Sequence, residues 1–153
     1  MVSDDEIRDS IKHANLIGAG GAGRVYAVNW DISVKLFYQS RTRTIEEDAR
    51  HELRMGTELW ANGVQVPKYH RIIPPNRGLP YWGLVMERIR GEEPLYTIGE
   101  SRRKAEQQHR EQIDLLERLG YFSFDHLPFG NNSLFNLRKA KLFLIDLTHV
   151  EKY

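Results

Sequence analysis

The run Leu16-Ile-Gly-Ala-Gly-Gly-Ala-Gly-Arg-Val-Tyr-Ala-Val28 sets the tightest limit on how this chain folds. Strand-like residues, 14–17 before and 24–28 after, flank its glycine segment, and Ile32 to Phe37 follows the turn Asn29-Trp30-Asp31 as a third strand. No length is left for a crossover helix, so the three strands must form an antiparallel meander. A dinucleotide-binding glycine loop has to open a helix. Here the glycines open the β-branched and aromatic Arg-Val-Tyr-Ala-Val, which is strand chemistry. A glycine-rich hairpin turn of this kind lets the backbone approach a polyanion closely and offers it N–H donors; its plain alternative is a flexible turn.

The next elements follow from local signals. Thr44-Ile-Glu-Glu47 reads as a capping box, and Ile45, Ala49, Leu53, Gly56 and Trp60 recur at helical spacing up to Asn62-Gly63. Tyr69 to Ile73 and Trp82 to Glu87 read as fourth and fifth strands around Pro-Pro-Asn-Arg-Gly-Leu-Pro. Glu100 to Leu119 reads as a long polar helix with the stripe Ala105, Ile113, Leu116 and Leu119, stopped by Gly120. A loop to Asn132 and a hairpin of Ser133–Asn136 with Lys141–Asp146 complete the reading, and residues 4–13 make a short charged helix at the start. The fold class is α+β.

Composition excludes several functions. Lys and Arg number 22 against 21 Asp and Glu, which gives no basic excess for nucleic acid. With no cysteine there is no disulfide, thiolate nucleophile or Cys-ligated zinc, which suits a reducing compartment. The start Met-Val-Ser-Asp-Asp-Glu has neither a basic region nor an apolar run, and every apolar run is too short for a membrane span. The expectation is a cytoplasmic protein without a membrane role, secretion by a signal-independent route remaining open.

Three groups of residues carry candidate chemistry. Lys35 sits inside the apolar strand, where it either faces water at an edge or pairs with a carboxylate. Glu52 falls on the apolar stripe of the following helix, so a cation partner is expected for it, and Lys35 is the candidate. Asp125 follows the long helix in Gly-Tyr-Phe-Ser-Phe-Asp, and Asp146 closes the apolar run Leu-Phe-Leu-Ile, with Asn131 and Asn132 between them. Two carboxylates and an amide at loop positions suit Mg2+. Each of these residues alone also fits an ordinary turn or cap.

In this order the motifs resemble the protein-kinase-like superfamily over residues 14 to 149. Val-Pro after "ELRMGTELWANGVQ" is closer to the RIO, tRNA-modification and small-molecule kinases, and the short length is similar to bacterial effector kinases. The resemblance implies a five-stranded antiparallel N-lobe sheet with one large helix in 14–89, after an extension at 1–13, and a much reduced C-lobe in 90–153. It implies ATP and Mg2+, with Gly18, Gly20, Gly21, Gly23 and Val25 over the phosphates and Lys35 reaching them, held by Glu52. Met86 then stands as gatekeeper, with Glu87 to Ile89 meeting adenine. Asp125 is the catalytic base, Asn132 or Asn131 and Asp146 the metal ligands, and His126 an alternative base. Where the family has a histidine two residues before the aspartate, this chain has Ser123, and the loop is expected to lose the bonds that histidine makes. Asp125 to Asn132 is longer than D-L-x-x-x-N, and Asp146-Leu-Thr148 replaces Asp-Phe-Gly. The implied function is phosphoryl transfer to a protein Ser/Thr hydroxyl, with a pseudokinase binding module or a small-molecule kinase as alternatives. A protein substrate or partner is expected, as is a homodimer through the C-lobe if Tyr121, Phe122, Phe124, Leu127 and Phe129 are exposed rather than packed.

Overall fold

Residues 2–19, 23–40 and 43–153 are described by the computed structural model, and they fall into two compact units. The first comprises Met1–Arg54 and Lys68–Arg88, the second Met55–Pro67 and Ile89–Tyr153.

The first unit is built on five strands, β1 (Leu16–Ala19), β2 (Gly23–Ala27), β3 (Ile32–Phe37), β4 (Tyr69–Ile73) and β5 (Trp82–Glu87), in the order β1-β2-β3-β5-β4. All neighbours are antiparallel. The β2–β3 turn is short because Asn29 Oδ1 accepts from the N–H groups of both Asp31 and Ile32, at 2.8 Å each. Alternation along β3 decides what each face meets. Val34 and Leu36 point to one side, where they join Ile73, Val85 and the fully buried Ile7 of helix α1 (Asp4–Ile11). Ser33, Lys35 and Phe37 share the other face, which receives the first half of helix α2 (Ile45–Ala61).

Helix α1 is therefore part of the sheet's packing. Ser3 and Glu6 form its capping box, and Arg71 of β4 donates to Asp4 Oδ1 at 2.9 Å and to the Val2 carbonyl at 2.7 Å. The Thr44–Glu47 capping box of α2 is also formed. The buried stripe of α2 differs from the expected one: Ala49, Glu52, Met55, Gly56 and Leu59 are buried, whereas Trp60 is half exposed. At Glu52 and Leu59 the buried stripe runs one residue earlier than Leu53 and Trp60.

In the second unit, helix α3 (Gly99–Arg118) supports a hairpin of β7 (Ser133–Asn136) and β8 (Lys141–Leu144), and β6 (Tyr121–Phe122) pairs with β9 (Glu151–Lys152). The α3 face turned inward is half polar: Ala105 and Leu116 are buried, and so are His109 and Gln112, while Ile113 and Leu119 are only half-buried. Each polar group has a backbone partner. Gln112 Oε1 accepts from Gln65 N–H at 2.8 Å, and Gln108 clamps the hairpin by donating to Ala140 O and accepting from Leu142 N–H. The core of this unit holds Leu59, Val64, Val66, Phe135, Leu142, Leu144, Leu147 and Val150. No helix among the described residues is long and apolar enough to cross a membrane.

Candidate functional site

In the first unit Lys35 lies on the α2 face of β3 and is 4% exposed, so the edge-strand alternative does not apply to it. Its Nζ donates to Glu52 Oε2 at 2.9 Å, and Glu52 is fully buried. The Tyr69 hydroxyl approaches the other carboxylate oxygen at 3.4 Å. Tyr69 reaches it because it stands across from Met86, which stands across from Ser33, two residues from Lys35 on the same face. Val25 is directly opposite Lys35, and Gly23 opposite Phe37, so the hairpin that carries the glycines shares the ammonium's face.

Gly18 and Gly23 belong to β1 and β2, while Gly20 and Gly21 lie outside the described residues. Gly23 has a steric reason to be glycine: a Cβ there would run into the Leu36 carbonyl. Met86 is buried and Glu87 half-buried at the end of β5, and the chain leaves the first unit after Arg88. The Glu87 N–H donates to Lys68 O at 2.8 Å, and its carboxylate accepts from Lys68 N–H. Ile89, half-buried, begins the second unit's share of the chain.

In the second unit the β7–β8 hairpin brings Asn132 and Asp146 to one end. Ser133 pairs with Leu144, and one step further Ile145 N–H donates to Asn132 O at 2.8 Å. Asn132 Nδ2 donates to the Asp125 carbonyl at 3.2 Å, which ties the loop after α3 to the hairpin. Asn132 is half-buried and Asn131 is exposed, so only the former joins this group. Asn132 and Asp146 both have left-handed backbones, φ 48° and 55°. Aspartate and asparagine tolerate that region better than other side chains, yet it still costs free energy and tends to mark functional positions.

His126 occupies a different place from the one expected of a base. It is 1% exposed, and both ring nitrogens are engaged: Nε2 donates to the Ile145 carbonyl at 2.7 Å, and Nδ1 lies 2.6 Å from Ser123 Oγ. A carbonyl only accepts, so the proton is on Nε2 and Nδ1 accepts from the serine. Ser123 and the residue after Asp125 thus bond to each other, and the imidazole of the pair ties this loop to the Ile145 carbonyl. His109 of α3 adds a second clasp, its Nε2 donating to His126 O at 2.8 Å, and Thr148 Oγ1 donates to Asp146 Oδ1 at 3.0 Å. Sequence reasoning passed over His109, Tyr69 and Thr148. Their only signal was polarity within apolar surroundings.

The residues fit a hard divalent cation. Asp146 offers carboxylate oxygen, and Asn132, whose Nδ2 is used by Asp125 O, keeps an amide oxygen to offer. Among the described residues no three His, Cys, Asp or Glu side chains converge, so such an ion would rest on this carboxylate–amide pair and on oxygens from ligand or water. Of the five apolar residues after α3, Tyr121 is buried, Phe122 and Phe129 are half-buried, and Phe124 and Leu127 are 71% and 48% exposed.

No family model matches the chain, and no curated protein matches it. Solved structures do. The co-crystal structure of WbdD with the kinase inhibitor LY294002 aligns with a TM-score of 0.63 over 90% of this chain, at 20% identity. The chain spans 33% of that protein's length. At this identity the likeness concerns the fold, which is protein-kinase-like: a five-stranded antiparallel sheet with the large helix α2, then a smaller, mostly helical part bearing a hairpin.

Proposed function

We propose that the chain is an ATP- and Mg2+-dependent kinase that transfers the γ-phosphoryl group of ATP to a serine or threonine hydroxyl of a protein. The observation that carries this reading is the buried Lys35–Glu52 pair at 2.9 Å. An ion pair removed from water is weak evidence for stability, because desolvation offsets most of its Coulomb gain. An ammonium fixed by a carboxylate on the face of a glycine hairpin is well placed to serve an anionic ligand. The second unit supports the same reading by grouping Asp125, Asn132 and Asp146.

In this reading Gly18, Gly23 and Val25 of β1 and β2, together with Gly20 and Gly21 of the sequence between them, serve the phosphates, Lys35 binds them, and Glu52 orients Lys35. Met86 and the backbone of Glu87 and Ile89 receive the adenine. Asn132 and Asp146 hold Mg2+, which neutralises phosphate charge when bound. Asp125 accepts the proton of the acceptor hydroxyl as the new O–P bond forms, and the bond from the γ-phosphorus to the bridging oxygen breaks to release ADP. Placement and charge neutralisation supply most of such a reaction's acceleration.

One observation favours a second reading, a nucleotide-binding module without transfer. Thr148 Oγ1 already donates to Asp146 Oδ1, so this carboxylate has a partner within the chain and does not require a metal. Incubation with γ-labelled ATP and Mg2+, alone, with a generic basic protein and with small alcohols, separates the readings and the acceptor classes. Label on protein, lost in Asp125→Ala and Lys35→Ala, supports the kinase. Nucleotide-dependent thermal stabilisation without label in any acceptor supports the module and overturns the proposal.

A further inference from the structure

We propose that His126 is the positioning residue for Asp146, acting through the peptide that joins Ile145 to it. The inference rests on the kinase reading and extends it to a residue outside the assigned site. The Ile145 carbonyl and the Asp146 N–H lie in one rigid plane. The orientation of that plane sets φ of Asp146, and φ is 55°, a value from which an aspartate relaxes to the negative region unless something prevents it. His126 Nε2 prevents it by holding the carbonyl at 2.7 Å, while Ile145 N–H is held by Asn132 O at 2.8 Å. Flipping the plane would break the first of these bonds and leave a buried imidazole N–H without its acceptor.

The clasp is itself fixed. Ser123 Oγ, at 2.6 Å from Nδ1, keeps the proton on Nε2, the only tautomer that can donate to Ile145. His109 anchors the His126 backbone from α3 at 2.8 Å. Thr148 then sets the carboxylate's rotation from the other side. His126 therefore orients Asp146 without touching any ligand, and because it adjoins Asp125 it couples the loop of the base to the turn of the metal ligand.

The test compares His126→Phe, which keeps a ring but no donor, with His126→Gln, whose amide N–H falls near the place of Nε2. Calorimetry measures ATP binding with and without Mg2+, and nitrogen NMR of the imidazole reports the tautomer. In His126→Phe the half-saturating Mg2+ concentration rises by about 10-fold or more, the loss usual when a supporting partner of a metal ligand is removed. Metal-free ATP binding stays as in the wild type, and His126→Gln recovers most of the loss. A loss of packing alone would lower both kinds of binding and would not be rescued by glutamine. A folded His126→Phe with an unchanged Mg2+ requirement, or a wild type with the proton on Nδ1, overturns the inference. If His126→Phe does not fold, Ser123→Ala takes its place, with mixed tautomers and a smaller shift in the same direction expected, and no shift refuting. A wild type that binds ATP neither with nor without Mg2+ defeats the kinase reading and this inference with it; a wild type that binds, beside an indifferent His126→Phe, defeats this inference alone.

Discussion

Replacing Lys35 by methionine tests the buried pair in a way that separates charge from packing. Methionine nearly matches the lysine stem in length, and its thioether sits well beside the Phe37 ring, over which Lys35 Nζ now lies at 4.9 Å. What remains is Glu52, fully buried and deprived of its ammonium. Removing one partner of such a pair costs about 3–5 kcal/mol. Urea unfolding of Lys35→Met at pH 7 should therefore show a loss of about 3–5 kcal/mol. The double variant Lys35→Met/Glu52→Leu should recover most of it, since apolar replacement of a whole buried pair is often neutral. A single-variant loss below about 1 kcal/mol, or a double variant that recovers nothing, would refute the reasoning.

Three further outcomes are expected. Gly23→Ala drives a methyl against the Leu36 carbonyl and should cost about 1–3 kcal/mol in thermal or urea unfolding, even if no nucleotide is ever bound. Ala140→Gly should act oppositely, stabilising by about 1 kcal/mol, because Ala140 holds φ 50° in the β7–β8 turn. Burial first, and then its 2.7 Å bond to Glu58, push the Tyr121 hydroxyl up to about 12. The unfolded chain loses that proton near pH 10 while the folded chain keeps it, so stability should fall as pH rises from about 10 to 12, by at most about 2.7 kcal/mol for this group. Tyr38, also raised to about 12 by burial and Tyr26, contributes in the same window, so Tyr121→Phe should flatten the urea-unfolding profile only in part.

The parts of this structure that the sequence foretold are those with local causes. Strands β3, β4 and β5 lie where β-branched runs meet breakers, and the Thr44–Glu47 box is written in adjacent residues. The Lys35–Glu52 pair was legible because a carboxylate on an apolar stripe and an ammonium in an apolar strand each need a partner. The failures have long-range causes. His109 and Gln112 fall outside the apolar stripe expected for α3, because their partners are backbone groups that only the folded loops supply. The two-residue strands β6 and β9 exist only as each other's partner, so neither stretch carries a pattern of its own. The part His126 plays was not legible, because the sequence offered it only as an alternative base beside Asp125. Alignment to a motif sees position, while the bond to Ile145 depends only on reach.

The placement of α1 bears on how the protein should be handled. Ile7 closes one side of the sheet over Val34, Leu36, Ile73 and Val85, and Arg71 grips the backbone as far forward as Val2. Trimming to Ala14, the natural cut if only the glycine hairpin onward is thought to matter, would lay bare an oily floor beneath the very strand that carries Lys35. Such a shortened protein would be prone to clump on expression.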